Sequence, residues 1–222
     1  MGWFEKGYEG LQKVSEARAG GGGTRRFWIK EGSAEKKVVF LSAEPFNFYE
    51  HQLKLGGNWR NFETCIKQIE DRGCPLDATD YGPYYVGAFT VVDRSEWKDR
   101  DGKVHKNTKS LLMAKPEMLR KLKLKAKKYG ENDSLFGCEF DVSRSSRKAP
   151  NIGDEWDFVK RWKTPAKMTE IFGDITEIDY EKIFLPKSFD ELNTMAGKVD
   201  GHPDKVASVV ASGSDEDEVD FN

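Results

Sequence analysis

Residues 84–93 read YYVGAFTVVD and residues 110–130 read SLLMAKPEMLRKLKLKAKKYG, and these two stretches decide the fold class. The first is aromatic and β-branched over ten residues, the composition of a central strand. Gly87 inside it marks a bulge or a close approach. The second stretch changes period halfway. Ser110 to Lys115 continues as a strand, and Pro116 then stands where a first helical turn tolerates it. Leu119, Leu122, Ala126 and Tyr129 fall at i, i+3, i+7 and i+10, an apolar stripe of helical period, and Gly130 stops the helix. Arg120, Lys121, Lys123, Lys125, Lys127 and Lys128 occupy the other faces.

Upstream, Arg25 to Glu31 (RRFWIKE) and Lys36 to Leu41 (KKVVFL) are β-rich runs separated by Gly32-Ser33, which predicts a hairpin. Pro45 to Pro83 is a Gly-, Cys- and turn-rich insert. Downstream, Leu135 to Ser143 and Glu155 to Trp162 read as strands, with Phe136, Cys138, Phe140 and Val142 alternating in the first. Phe40, Phe89, Phe140 and Phe158 are expected in the core, with Cys138 beside them. The order strand, strand, insert, strand, strand, helix, strand, strand is that of an OB-fold, a five- or six-stranded Greek-key barrel. A split α+β sheet has much the same order. The fold class expected is therefore mainly β with α. The boundaries expected are an N-terminal helix and Gly hinge (1–23), a barrel core (24–165) interrupted by the insert (45–83), a C-terminal helical segment (166–197) and a disordered acidic tail (198–222). Ser188-Phe-Asp-Glu191 is a capping box inside that helical segment.

The 222 residues are 37% hydrophobic, 33% charged and 12% aromatic, with mean hydropathy −0.71. Disordered chains keep charge but lose rings, so a folded core with rings to spare is expected. No apolar run approaches the roughly 18 residues of a membrane span, and MGWFEKGYEG has no signal-peptide apolar stretch. The formal net charge of −2 hides an asymmetry. Ser214 to Asn222 holds five acids and no base, while Arg94 to Gly130 holds 13 Lys/Arg against 4 Asp/Glu. A basic face and a separate acidic tail suggest a polyanion-binding surface and a recruiting or competing tail. Three cysteines, Cys65, Cys74 and Cys138, are too few for a disulfide scaffold, so a reducing, cytoplasmic compartment is expected.

Two constellations carry chemistry. His51, Cys65, Cys74 and Asp77 lie in the insert, the last two as Cys-Pro-Leu-Asp, a Cys-x-x-ligand spacing by which one tight turn offers two ligands to zinc. The alternative is a metal-free knuckle with its thiols packed as small apolar groups. The second constellation interleaves rings and cations: Arg25, Arg26, Trp28 and Lys30 in the first run; Trp59 and Arg60 in the insert; Tyr81, Tyr84 and Tyr85 leading into the central strand; Trp97, Lys98, Arg100, Lys103 and Lys106 after it. Rings stack on unpaired bases and cations track phosphates, without sharp sequence choice. Trp97, between Glu96 and Lys98, is the ring most expected to be exposed. No G-x-S-x-G, Walker loop or H-E-x-x-H is present, so a non-enzymatic binder is expected. A carboxylate cluster of Asp77, Asp80 and Asp93 for metal-dependent nuclease chemistry is a distant alternative.

The runs FWIKEGSAEKKVVFL, PFNFYEH, WRNFETC, CPLD, GPYYVGAFTVVD, SLLMAK and LFGCEFDVSRSSRK resemble phage single-stranded DNA-binding proteins, the helix-destabilising proteins of the T-even gene-32 type. The resemblance covers roughly residues 24 to 162. It implies an OB-fold with an inserted zinc subdomain, an N-terminal segment for self-association on DNA, and an acidic tail that recruits replication and recombination proteins. In that family the zinc ligands are one His and three Cys. The matching positions here are His51, Cys65, Cys74 and Asp77, the last a departure. The resemblance also brings Arg144 and Arg147 of SRSSRK into the DNA-binding set. It assigns partner binding to Asp215, Glu216, Asp217, Glu218, Asp220 and Phe221, with Asn222 following the Phe. The function implied is coating and protecting single-stranded DNA during phage replication, recombination and repair, in a bacterial host's cytoplasm. An RNA-binding, translation-linked OB module is the alternative, because stacking and charge serve RNA equally.

Overall fold

The computed structural model describes residues 25–30, 32–98 and 101–200. The expected N-terminal helix and hinge, and the tail from residue 201 on, lie outside them. In chain order the elements are β1 (Lys36–Phe40), β2 (Phe46–Leu55), β3 (Asn58–Thr64), a 3-10 turn (Pro75–Ala78), β4 (Tyr84–Asp93), β5 (Trp97–Lys98), β6 (Val104–His105), β7 (Thr108–Ala114), α1 (Pro116–Tyr129), β8 (Cys138–Ser143), β9 (Glu155–Arg161), α2 (Pro165–Phe172), α3 (Tyr180–Ile183) and α4 (Phe189–Ala196). The protein is mainly β sheet with a few helices. Among the described residues no helix is long and apolar enough to cross a membrane. The described residues form two compact units: those up to Phe48 with Tyr85–Leu185, and Tyr49–Tyr84 with those from Pro186.

In the first unit five strands pair antiparallel in the order β7-β4-β1-β8-β9. Val91 sits opposite Ser110, Val39 opposite Val92, Val38 opposite Phe140, and Phe140 opposite Phe158. β1 is buried on both faces, which is why KKVVFL reads as a continuous apolar run rather than an alternation. Val38 and Phe40 join Phe27, Phe89, Phe140 and Trp156 in the main core, while Val39 and Leu41 join Val92, Met168 and Phe172 on the other side. The Phe40 ring meets Phe89 and Phe140 edge-on at 5.3 and 5.8 Å, an offset the ring quadrupoles favour. α1 closes the main core with Met118, Leu122 and Ala126, the face its 3.6-residue period sets. Each fully buried side chain of this size contributes about 1.5–3 kcal/mol. Gly87 has no room for a side chain: a Cβ there would lie 2.6 Å from Leu119 Cδ2 and 2.9 Å from Pro45 Cβ.

Two expectations are corrected here. The run from Arg25 does not form a hairpin with the next strand. Phe27 N–H donates to the Leu111 carbonyl (2.7 Å), Leu111 N–H to the Arg25 carbonyl (2.8 Å), and Ile29 N–H to the Asn151 carbonyl (2.7 Å). The run therefore bridges β7 and the loop between β8 and β9, because β4 and β8 already occupy both edges of β1. Phe158 is only half-buried; it stacks on Tyr129 at 4.2 Å, at the margin of the core.

Within the first unit, the chain between β9 and Leu185 is held by more than its helices. The Tyr180 hydroxyl lies between Ser42 Oγ (2.6 Å) and Thr90 Oγ1 (2.7 Å), and its ring stacks on Phe46 at 5.2 Å. Lys109 Nζ donates to the Asp174 carboxylate at 2.6 Å.

In the second unit β2 and β3 form a hairpin turned by Gly56 and Gly57, whose φ of 56° and 78° only glycine adopts without strain. Leu53, Ile66, Leu76, Leu192 and Val199 make its core. The segment expected as a single C-terminal unit over 166–197 is thus divided, α2 and α3 with the first unit and α4 with the second. Both hydrogen bonds of the Ser188–Glu191 capping box are present. Residues 198–200, expected in the tail, are instead built into the second unit. Val199 is buried, and the Asp200 carboxylate accepts from Gly56 N–H (2.9 Å) and Gly57 N–H (2.6 Å), stitching residues 198–200 to the hairpin turn.

Candidate metal centre and nucleic-acid surface

The insert brings its four predicted ligands together. His51 comes from β2, Cys65 follows β3, and Cys74 and Asp77 flank the start of the 3-10 turn, where Pro75 fixes the chain direction. Their ligand atoms all lie within 4.8 Å of one another. His51 Nε2 is 3.5 Å from both Cys74 Sγ and the Asp77 carboxylate, and Cys65 Sγ is 3.9 Å from Asp77 Oδ1. His51 is fully buried, and its Nδ1 donates to the Tyr81 carbonyl at 2.8 Å. That bond holds the ring in the tautomer whose Nε2 lone pair faces the cluster, the arrangement found behind metal-bound histidines. Such a cluster could hold a metal ion. Lys67 Nζ approaches Asp77 from outside at 3.6 Å.

The electrostatics of the four groups interlock. The Cys65 thiol hydrogen-bonds to Cys74 and holds it far below the ordinary thiol range; burial opposes this, and His51 and backbone amides add to it. The same bond and burial push Cys65 up. Burial works to lower the His51 pKa and is outweighed by its bonds to Cys74 and the Tyr81 carbonyl, so the net direction is upward.

The expected nucleic-acid residues divide by what they touch. Trp28 is 41% exposed and Trp59 48%, and Lys30, Lys98, Lys103 and Arg147 are exposed. Trp59 meets Tyr81 edge-on at 5.3 Å and has the Lys54 ammonium 5.9 Å from its ring. Arg26 is half-buried, its backbone bridged to Leu111. Lys106 pairs with Glu96 at 3.0 Å. Tyr81 and Tyr84 are half-buried, their hydroxyls donating to the Asp200 carbonyl and the Glu50 carboxylate. Arg60 lies on β3 with its side chain outside the description, as is all of Arg100. The tail residues Asp215 to Phe221 lie outside the described residues too.

Three assignments change. Trp97 is not a free ring: its Nε1 donates to Thr108 Oγ1 (2.8 Å), its face stacks on His105 at 4.4 Å, and the Arg25 guanidinium covers it at 4.3 Å. Arg25 is thereby committed, and it also lies 3.8 Å from the buried Asp93 carboxylate, which Lys36 neutralises at 2.9 Å. Arg144 is a backbone clamp, donating to the carbonyls of Ala149 (3.1 Å), Ile29 (3.3 Å) and Arg147 (2.6 Å). A guanidinium so engaged has few donors left for a phosphate. Tyr85, counted in sequence among the rings leading into the central strand, is 36% exposed, and Tyr49, 37% exposed, is a surface ring the sequence reading passed over. The Gly56-Gly57 turn between two β-rich runs was the signal that would have placed Tyr49 on a strand.

Compared with protein-family models, curated proteins and solved structures, the chain matches none.

Proposed function

We propose that this chain is a non-enzymatic single-stranded DNA-binding protein, an OB-fold core with a zinc-holding insert, which coats unpaired strands during phage replication, recombination and repair. The observation that carries the reading is the connectivity of the first unit. Three strands (β1, β4, β7) form a meander, a helix follows, and two strands return on the far side of β1. This order supports an OB barrel opened along one seam. The surface supports it: rings remain exposed at Trp28 and Tyr85, with a strong excess of bases over Arg94 to Gly130. In the insert, Trp59 is an exposed ring of its own. Rings that stack and cations that follow phosphates suit a strand of any sequence.

The donor set suits zinc. A tetrahedral ion with ligands at 2.0–2.3 Å spaces those ligands roughly 3.3–3.8 Å apart, and the separations of 3.5, 3.5 and 3.9 Å lie close to that. The metal would tie β2, β3 and the 3-10 turn together, supplementing a small core. The acidic tail would recruit replication and recombination proteins.

The deciding experiment is a competition titration of the full chain, read by tryptophan fluorescence, with poly(dT), poly(rU) and duplex DNA. Preference for poly(dT), weakening steeply with salt, supports the reading. Equal or tighter poly(rU) binding moves it to RNA, and no binding to any of the three overturns it. Elemental analysis of the purified protein should give close to one zinc per chain.

A further inference from the structure

We infer that the groove between α1 and the segment of residues 43–47 leading into β2, in the first unit, is a docking site for an acidic peptide segment of a partner protein, anchored by one bulky apolar side chain. The groove has a volume of about 560 Å³, within the range of sites that take organic groups. Its floor is apolar: Pro45, Phe89, Leu119, Leu122, Ala126 and Leu135. Its rim on the helix side is Arg120, Lys123 and Lys127, all exposed and none meeting a carboxylate among the described residues. Spaced i, i+3 and i+7, they stand about 4.5 and 6 Å apart along the axis, a cationic row parallel to the groove. Glu44 and Asp133 also line it, so an anionic occupant lies along the helix rather than across the mouth. The wider field is positive, because α1 carries six bases and one acid.

The occupant follows from this chemistry. A strongly charged chain that keeps an apolar trough open to water leaves a surface suited to a partner. The row of cations selects an anionic one. The trough itself is aliphatic, and its one internal ring, Phe89, is 1% exposed. A nucleotide base needs a ring face to stack on, whereas a Phe or Leu side chain needs only apolar walls. Tyr85 at the margin is the sole exposed ring in the lining. Gly87 keeps the floor closed, since Leu119 packs where its side chain would be.

The test is a nuclear magnetic resonance titration of the full isotope-labelled chain with a capped synthetic peptide, Asp-Glu-Asp-Phe-Asp-Glu-Asp. Controls replace its Phe by Ala, or its acids by Asn and Gln. Amide shifts should cluster at residues 43–47, 119–127 and 135, and each control should bind at least tenfold more weakly. Lys123→Glu with Lys127→Glu, both exposed and so compatible with folding, should weaken the parent peptide at least tenfold. Shifts that fall elsewhere, or that survive the charge reversal, overturn the inference. It is equally overturned if oligo(dT) perturbs these residues and the peptide does not, for the groove would then be a strand site.

Discussion

Replacing His51 by alanine separates what that residue does as packing from the ligand role proposed for it. In metal-free protein the change removes a fully buried ring and leaves the Tyr81 carbonyl without the donor it holds at 2.8 Å. An orphaned buried acceptor costs about 1–3 kcal/mol. With the hole left by the ring, about 2–4 kcal/mol of stability should be lost. The proposed metal would add a separate quantity. Zinc at a hundred times its dissociation constant stabilises the wild type by about 2.7 kcal/mol, provided it binds only the folded state. The variant retains Cys65, Cys74 and Asp77. If losing one of four ligands weakens zinc about a hundredfold, the same concentration stabilises it by only about 0.4 kcal/mol. The assay is urea unfolding of both proteins, each in chelator and in buffered zinc, giving four free energies. The zinc-linked increment is the difference within each protein, so the packing cost cancels. Equal increments for wild type and variant would refute the assignment of His51 as a ligand, however unstable the variant proves.

Three further outcomes follow from particular contacts. Tyr180→Phe removes a hydroxyl shared by Ser42 and Thr90 while keeping the stack on Phe46, and thermal melts should show roughly 1–3 kcal/mol of destabilisation. Burial holds the Tyr180 phenol protonated above its ordinary pKa, against smaller opposing effects from Ser42 and Thr90. The unfolded chain therefore loses that proton first, and stability should fall as pH rises above about 10, a slope absent from the Phe variant. Arg144→Ala should cost about 1–3 kcal/mol of stability by freeing three carbonyls, yet leave the salt dependence of oligo(dT) binding unchanged; a slope reduced by about 0.7 per phosphate contact would return Arg144 to the DNA surface. Gly87→Ala should destabilise by about 1–3 kcal/mol, since the added methyl overlaps Leu119 and Pro45, and a variant that melts like the wild type would show that the helix shifts freely.

The local elements of this chain were determined by the sequence alone. Tyr84 to Asp93 is a strand at those residues, Pro116 opens a helix and Gly130 caps it, and Ser188 with Glu191 closes a capping box. Each depends on residues a few positions apart, so period and cap chemistry are enough to find it. The candidate metal cluster was legible for a related reason: few residue types bind metals, and Cys74 and Asp77 lie in one turn. Tertiary structure decided the partners. RRFWIKE has the composition of a strand, but whether it pairs with β1 or bridges β7 depends on which edges the later strands β4 and β8 already fill. Trp97 looks exposed between two charges in sequence, and it is Thr108, His105 and Arg25, brought in by the fold, that hold it. Arg144 reads as a phosphate ligand until three backbone carbonyls meet it, and a carbonyl has no sequence signature. Residues 198–200 read as tail by composition, but two glycine amides of a hairpin turn capture Asp200. Pattern specifies what a segment is able to form, and competition among segments for the same donors, acceptors and apolar faces specifies what each one meets.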